Sequence, residues 1–285
     1  MIGAGLLSRF QGFRRGPPAS YCAWVVIAQC ALIPVLLSIA GSASGQIFQV
    51  PQGLSVADQC FAMAAGLTLG AALPRTEQRL HAGAGLTVVA LGSSSTSGFW
   101  LSENETFPSV TKRGLLKFYP GAAIEVLNRG VIMDDIRASR ERIARDVLAI
   151  RPQLVIWQLG TNDVVWRGIA DNAKELVTAG VRELKAAGAD VVLMDVQYAP
   201  LVIMWPRYKD MERIIAKVAR EEHVGYFRRF ALLQRAANAG VKDLVAWDGL
   251  HSSAAGHECV GRALARMIHA AASQIGAKAS SQSKR

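Results

Sequence analysis

The pattern of apolar and polar positions changes near residue 86, and from there it predicts alternating strands and helices. Short apolar or β-branched runs predict strands at 86–91, 123–127, 154–159, 190–194 and 223–227. Amphipathic spacing predicts helices at 133–150, 171–187, 208–221 and 254–272. Continuous apolar strands that alternate with helices are typical of a parallel sheet covered on both faces. The predicted fold class is therefore α/β, a flavodoxin-like three-layer α/β/α sandwich of about five parallel strands, with ligands at the carboxyl ends of the strands.

The N-terminal segment has the order of features that a secretory signal has. Arg9, Arg14 and Arg15 precede an apolar stretch at 23–40, and small residues follow at 41–45. We therefore expect residues 1–45 to be a signal peptide. Because the apolar stretch is longer than a usual signal core, an uncleaved membrane anchor is the alternative. Under both interpretations the rest of the chain is exported, to the periplasm or beyond, and meets a membrane only through this segment.

The remaining boundaries follow from shifts in composition. Residues 46–85 are interpreted as a linker and docking extension, in which Ser55 and Asp58 begin a helix and Pro74 ends it. The apolar part of this extension, 61–73, is too short to span a bilayer. Residues 86–275 form the predicted main domain, and the Ser/Lys-rich tail at 276–285 is predicted to be disordered.

Composition and charge exclude some classes of protein. The chain is 51% hydrophobic and 19% charged, which is typical of a folded globular protein. Its formal net charge is +10, but the basic residues form no dense run and do not alternate with aromatic residues. We therefore expect no nucleic-acid partner. A nucleic-acid or envelope-surface binder would depend on charge alone and would show a steep dependence on salt.

Two cysteines lie outside the targeting segment. Cys60 is in the extension and Cys259 is in the last predicted helix. In an oxidising compartment they could form a disulfide that ties the extension to that helix, and two buried free thiols are the alternative.

Unusual residues follow several of the predicted strands. The first strand leads into Gly92-Ser93-Ser94-Ser95-Thr96, which is a polar turn, an anion-binding loop or the site of a nucleophile. A phosphate-binding P-loop is disfavoured because no lysine follows Gly98. Near the C-terminus Asp248 and His251 are three positions apart, so the carboxylate can bind Nδ1–H and leave Nε2 free to take a proton. A serine hydroxyl needs such a base beside it to become a good nucleophile.

Two further strand ends offer hydrogen-bond donors. Gly130 supplies a backbone N–H and Asn162 supplies a side-chain amide, although each is also an ordinary turn residue. Donors of this kind stabilise the negative charge that develops on a carbonyl oxygen during acyl transfer.

Together these blocks resemble the SGNH hydrolase superfamily of GDSL-like esterases and lipases. The similar blocks are Gly92-Ser93-Ser94, Asn128-Arg129-Gly130, Gly160-Thr161-Asn162-Asp163 and Asp248-Gly249-Leu250-His251, in the family's order. Ser93 departs from the family's usual Gly-Asp-Ser, and an exported bacterial subgroup is similar in having Gly-Ser-Ser-Ser-Thr. The resemblance implies a serine esterase that needs no metal or cofactor. It implies Ser94 as nucleophile, His251 as base, Asp248 as its orienting acid, and Ser94, Gly130 and Asn162 as the oxyanion hole.

The substrate is less narrowly defined by the sequence. We expect a small-molecule or carbohydrate ester, carrying a short acyl or O-acetyl group. Asp163, Gln197 and Tyr198 are candidate substrate contacts because they follow predicted strands. An O-acyltransferase acting on envelope carbohydrate is one alternative. A non-catalytic carbohydrate-binding module is the other, and it would not need Ser94, Asp248 and His251 together.

Overall fold

The computed structural model describes residues 53–273. The predicted signal segment at 1–45 and the predicted disordered tail at 276–285 lie outside the described residues. Within them, all strands pair in parallel in one sheet, whose order is β2-β1-β3-β4-β5. The strands are β1 (Leu86–Gly92), β2 (Ile124–Gly130), β3 (Leu154–Gln158), β4 (Asp190–Met194) and β5 (Gly225–Phe227). The predicted α/β class with five parallel strands is confirmed.

Helices cover both faces of the sheet. They are α1 (Val56–Ala62), α2 (Pro74–His81), α3 (Ser94–Ser97), α4 (Phe107–Phe118), α5 (Ile136–Glu141), α6 (Ile143–Asp146), α7 (Ala173–Ala186), α8 (Pro200–Ile203), α9 (Tyr208–Glu221), α10 (Arg229–Asn238) and α11 (Ala254–Ala272). Single turns of 3₁₀ helix lie at Glu103–Glu105 and Leu148–Ile150, and a π-helical turn spans Asp163–Arg167. None of the helices within residues 53–273 is long and apolar enough to cross a membrane.

Alternate residues of the strands pack into two separate hydrophobic cores, one on each face of the sheet. In β1, Val88 and Ala90 pack in a cluster with residues of α1, α4, α10 and α11, whereas Val89 and Leu91 pack in a cluster with residues of α5, α7 and α9. Side chains of successive strand residues point to opposite faces, so a strand buried on both faces must be apolar throughout. This arrangement is the three-layer sandwich that the continuous apolar strands predicted.

The helix predicted at 133–150 is wrong as a single element. The structure contains α5, α6 and a 3₁₀ turn in its place, and the break falls at Arg142, whose backbone angles are φ −98° and ψ 4°. The side chain of Arg142 is 7% exposed and turns inward to bind backbone carbonyls at the sheet edge. The apolar periodicity alone gives no sign of this interruption.

The segment before β1 also differs from the prediction. Ser55 caps α1 by accepting a hydrogen bond from the Asp58 N–H, as predicted, but the helix ends at Ala62. Pro74 begins α2 instead of ending a helix, because its missing N–H and fixed φ suit a first turn. A disulfide joins Cys60 to Cys259, so α1 is tied to α11, and the alternative of two free thiols is not observed.

Candidate active site

Ser94 is the first residue of α3, immediately beyond the carboxyl end of β1. The turn that presents it is held by Gln158, the last residue of β3. Its Oε1 accepts hydrogen bonds from the Ser93 N–H at 2.9 Å, the Ser93 hydroxyl at 3.0 Å and the Thr96 hydroxyl at 3.1 Å. This buried amide oxygen therefore fixes the turn on both sides of Ser94.

The structure brings Ser94, His251 and Asp248 into one hydrogen-bonded row. His251 Nε2 lies 2.9 Å from Ser94 Oγ, and His251 Nδ1 lies 2.5 Å from Asp248 Oδ2. With a proton on Nδ1 that Asp248 accepts, Nε2 is the free acceptor for the serine hydroxyl. Burial alone would raise the pKa of Asp248. The hydrogen bonds from the His251 side chain and from the Leu250 and His251 N–H groups outweigh it and hold that pKa below its ordinary value.

The loop at 245–252 folds back on itself to present this pair. Val245 and Ser252 form an antiparallel bridge, and the Ala246 N–H donates to the His251 carbonyl at 2.7 Å. Gly249 has φ +70°, a conformation that other residues rarely adopt, and its carbonyl accepts the Leu201 N–H at 3.0 Å. The loop is thus anchored both internally and to the segment after β4.

Asn162 follows β3 at the carboxyl end of the sheet, the same end at which Ser94 lies, and it immediately precedes the π-helical turn. It is 2% exposed, and its Nδ2 donates one hydrogen to the Asp134 carbonyl at 2.7 Å. The same nitrogen carries a second hydrogen that remains for another acceptor. Met133, which precedes Asp134, has φ +68°. The segment after β2 therefore approaches Asn162 in a left-handed conformation that an ordinary turn does not require.

Arg142 ties that segment to the ends of β1 and β2. Its guanidinium pairs with the Asp134 carboxylate at 2.5 Å and the Asp146 carboxylate at 2.9 Å. It also donates to the carbonyls of Gly92 at 2.9 Å and Arg129 at 2.8 Å. The five N–H donors of arginine suit such a junction, which joins α6 and the segment after β2 to the carboxyl ends of β1 and β2.

Gly130 lies at the end of β2 opposite Gly92, where the sequence predicted it, but its N–H is not free. Its N–H donates to Asn128 Oδ1 at 3.0 Å, so this donor is already used within the protein. A Cβ at Gly130 would come within 2.1 Å of the Ser97 nitrogen. A glycine is needed here because the backbone of α3 packs directly against the end of β2, and the interpretation as an oxyanion donor is not supported.

Of the three candidate substrate contacts, Asp163 and Gln197 are buried and Tyr198 is half-buried. Asp163 is 3% exposed and accepts the Ile136 N–H through both carboxylate oxygens, each at 3.3 Å. Burial raises its pKa to about 6. Gln197 is 1% exposed and makes three hydrogen bonds within the protein. Tyr198 packs edge-on against Phe230. These contacts give each side chain a structural partner. We withdraw Asp163 and Gln197 as substrate contacts because they are buried, and Tyr198 stays a prediction.

The rim of the site carries exposed apolar side chains that the sequence did not single out. Phe99 lies 4.7 Å from the His251 ring, and Trp100 lies 6.0 Å from Trp247, which is 85% exposed. Eleven large hydrophobic residues are exposed in residues 53–273, and nine of them lie either in the 245–252 loop or on the segments that lead from β1, β2, β3 and β4 to the next long helix, short helical turns included. The nine are Trp100, Val131, Ile132, Met133, Trp166, Ile203, Met204, Trp205 and Trp247. Exposed apolar side chains on the segments that follow the strands indicate a surface for an apolar or stacking ligand at this end of the sheet.

Comparison with known proteins places this site in a family. The model of the non-GDSL lipase-like family matches residues 59–274. The chain belongs to the non-GDSL lipase-like family. An acetylxylan esterase from Geobacillus stearothermophilus is 30% identical over 174 residues, which cover 54% of this chain and 77% of the relative. This membership places the chain in the wider SGNH superfamily of GDSL-type esterases and lipases. The protein is therefore a carboxylic ester hydrolase of that superfamily.

Solved structures with the same architecture support the fold. The acetylxylan esterase of G. stearothermophilus covers 65% of this chain and 94% of its own, with a TM-score of 0.54 and 24% identity. A lipase/acylhydrolase from Enterococcus faecalis covers 65% and 96%, with a TM-score of 0.56 and 23% identity. The family's matched region begins at residue 59, inside the segment that the sequence suggested was an extension.

Proposed function

We propose that the protein is a serine esterase that works through an acyl-enzyme formed on Ser94. The observation that carries the proposal is the continuous row from Ser94 Oγ through His251 to Asp248, with distances of 2.9 Å and 2.5 Å. A hydroxyl, an imidazole and a carboxylate in this order perform nucleophilic acyl transfer on unrelated folds. No residue of the row is committed to any other side-chain partner among the described residues.

In the first step Ser94 Oγ attacks the ester carbonyl carbon while its proton moves to His251 Nε2. Asp248 holds Nδ1–H and stabilises the imidazolium that forms. The tetrahedral intermediate then collapses. The bond between carbon and the alcohol oxygen breaks, and Nε2 returns its proton to that oxygen. The alcohol leaves, and the acyl group remains as an ester of Ser94.

Two donors are available for the oxyanion. The Ser94 N–H is at the amino end of α3, and the second Nδ2 hydrogen of Asn162 is free of the Asp134 carbonyl. A preorganised donor of this kind contributes on the order of 3 kcal/mol to the transition state. Arg142 and Asp134 act indirectly. Their ion pair fixes the position of the Asp134 carbonyl, and that carbonyl orients the Asn162 amide.

In the second step water takes the place of the alcohol. His251 Nε2 removes a proton from water as the oxygen attacks the acyl carbon, and the same nitrogen then protonates Ser94 Oγ as the acyl bond breaks. The products are a carboxylic acid and free enzyme.

For the substrate, we propose short acyl esters, in particular O-acetyl groups on carbohydrate. The similarity to an acetylxylan esterase supports this choice. The exposed Trp100 and Trp247 pair at the edge of the site supports it as well, because aromatic faces offer flat apolar surface to a sugar ring. Export to an oxidising compartment is part of the same proposal, and the disulfide between Cys60 and Cys259 is consistent with such a compartment.

Turnover of p-nitrophenyl acetate tests the proposal. We expect wild-type protein to hydrolyse this ester and Ser94→Ala to retain less than about a thousandth of the rate, since a triad lacking one member keeps only residual catalysis. Ser109→Ala, a serine in α4 away from the row, is the matched control and should retain full activity. Equal rates for wild type and Ser94→Ala would overturn the proposal. Acetate release from acetylated xylan tests the substrate class.

A further inference from the structure

The side-chain amide of Gln197 is hydrogen-bonded to three segments of the site. It lies on the segment after β4 and is 1% exposed. Its Oε1 accepts the Ser95 hydroxyl at 3.1 Å and the Thr161 hydroxyl at 3.0 Å, and its Nε2 donates to the Leu250 carbonyl at 2.8 Å. Hydrogen bonds of a buried polar group are stronger than those of an exposed one, so these three bonds order the segments that they join.

Each partner of Gln197 is the sequence neighbour of a site residue. Ser95 follows Ser94, Thr161 precedes Asn162, and Leu250 precedes His251. The three partners come from three separate segments, which are α3, the segment after β3 and the 245–252 loop. One planar amide thus spans the nucleophile, an oxyanion donor and the base.

The orientation of this amide is fixed by chemistry. Hydroxyl groups can donate or accept, but the Leu250 carbonyl can only accept, so Nε2 must face Leu250 and Oε1 must face the two hydroxyls. A flipped amide would set two carbonyl oxygens against each other in a buried site. Gln197 therefore has a single favoured state, and that state defines the distances among its three partners.

We propose that Gln197 is a positioning residue that holds Ser94, Asn162 and His251 in register for the reaction. This inference rests on the proposed esterase mechanism. A misplacement of about 1 Å among reacting groups can cost on the order of a hundredfold in rate. Gln197 touches neither the substrate nor the reacting atoms, so its effect appears in kcat and not in KM.

Two substitutions separate positioning from other roles. Gln197→Met has a similar volume but loses all three hydrogen bonds, and we expect kcat to fall about 10- to 100-fold with KM changed less than about threefold. Gln197→Glu keeps both acceptor bonds. When protonated, its O–H can also donate to the Leu250 carbonyl. When ionised, its carboxylate faces that carbonyl and repels it.

The ratio of Gln197→Glu to wild-type kcat should therefore depend on pH. Dividing by the wild-type kcat at each pH removes the pH dependence that the two proteins share. Burial disfavours the ionised form of the introduced carboxyl. We expect the ratio to be highest in mild acid and to fall by at least about tenfold as pH rises through the range in which this carboxyl ionises. The same ratio for Gln197→Met should be flat.

The control is Gln153→Met. Gln153 also uses its amide within the protein: Oε1 accepts from the Thr87 N–H and Nε2 donates to the Arg151 carbonyl. It precedes β3, at the opposite end of the sheet. Its loss should lower stability without changing kcat. All rates are measured on p-nitrophenyl acetate and normalised to folded protein by circular dichroism. If Gln197→Met does not fold, the pH ratio of Gln197→Glu remains a complete test.

Three results would overturn the inference. A raised KM with unchanged kcat would make Gln197 a substrate contact, an unchanged kcat in folded variants would make it purely structural, and a flat Gln197→Glu ratio would remove the role of the Leu250 bond. Failure of the esterase mechanism is distinguished separately, because it would appear as full activity in Ser94→Ala.

Discussion

Asp248 binds His251 at two places at once. Its Oδ2 lies 2.5 Å from His251 Nδ1, and its Oδ1 accepts the His251 N–H at 2.9 Å. The carboxylate therefore fixes both the backbone and the imidazole of the residue that it orients. In Asp248→Asn one oxygen can still accept the backbone N–H, but the amide NH₂ would face Nδ1. The imidazole would then place its proton on Nε2, where Ser94 needs an acceptor.

We expect Asp248→Asn to lower kcat by about 10³- to 10⁴-fold with little loss of folded structure. The matched control is Asp243→Asn, an exposed residue with φ +59°, a conformation that asparagine tolerates. Because hydrogen bonds overcome burial and keep the pKa of Asp248 low, its carboxylate stays ionised in mild acid. The stability that it contributes is lost only as pH falls through that lowered pKa. A kcat for Asp248→Asn within tenfold of wild type would contradict this role.

Asp163 gives the protein a pH-dependent stability. Burial raises its pKa to about 6, so between about pH 4 and 6 the folded state binds more protons than the unfolded state. The free energy of unfolding should therefore decrease as pH rises through this range. Asp163→Asn keeps an acceptor for the Ile136 N–H and carries no charge. The free energy of unfolding of Asp163→Asn minus that of wild type should therefore increase by on the order of 3 kcal/mol between pH 4 and pH 7.

Urea unfolding of both proteins at several pH values measures this difference. Taking the difference between them cancels the contributions of other buried acids, such as Asp195, whose pKa burial raises to about 6 as well. A difference in unfolding free energy that does not change with pH would show that Asp163 is ionised in the folded protein throughout the range.

The disulfide between Cys60 and Cys259 closes a loop with a sequence separation of 199 residues. Constraining the unfolded chain in this way contributes about 2–5 kcal/mol. Cys60→Ala/Cys259→Ala should therefore lower the melting temperature while the kcat of the folded protein stays within about twofold, because neither cysteine contacts the Ser94, His251 and Asp248 row. Thermal unfolding with and without reductant is the measurement. If wild-type protein is treated with reductant while unfolded and its melting temperature does not change, that result would argue against the bond.

The tryptophan pair provides a test of the substrate class. Trp247 is 85% exposed, so its removal should leave stability unchanged. If a sugar ring stacks there, Trp247→Ala should raise KM for acetylated xylo-oligosaccharides by about three- to tenfold, and KM for p-nitrophenyl acetate should not change. Phe118→Ala, an exposed aromatic residue at the far end of α4, is the control. An equal KM for wild type and Trp247→Ala on the oligosaccharide would exclude stacking at this position.

The strands were predictable because a sheet buried on both faces leaves continuous apolar runs in the sequence. The strand predicted at 190–194 coincides with β4, and helices α9 and α11 have the predicted bounds. The last strand is shorter than predicted, since His223 adopts φ +55° after α9 and pairing with β4 begins only at Gly225. Helices α4 and α10 were not predicted.

The site was predictable where chemistry demands a residue type and not where packing decides its use. Ser94, Asp248 and His251 are recognisable because a hydroxyl, an acid and an imidazole in the family's order have few other common purposes. Gly130 was misinterpreted, since a glycine needed for close backbone approach looks the same in the sequence as one that exposes its N–H. Gln158 and Arg142 were missed because their role depends on inward orientation. A polar residue at the end of an apolar strand was the only available signal for Gln158.

Labelling of Ser94 by a fluorophosphonate tests the central claim most directly. The probe forms a stable phosphonyl ester with a serine that an adjacent base activates. We predict one added probe per molecule in wild type, located by peptide mass spectrometry on Ser94. Labelling should be absent from Ser94→Ala and strongly slowed in His251→Ala. Folded wild-type protein that takes up no probe, or takes it up on Ser93 or Ser95 and keeps doing so in Ser94→Ala, would contradict the account.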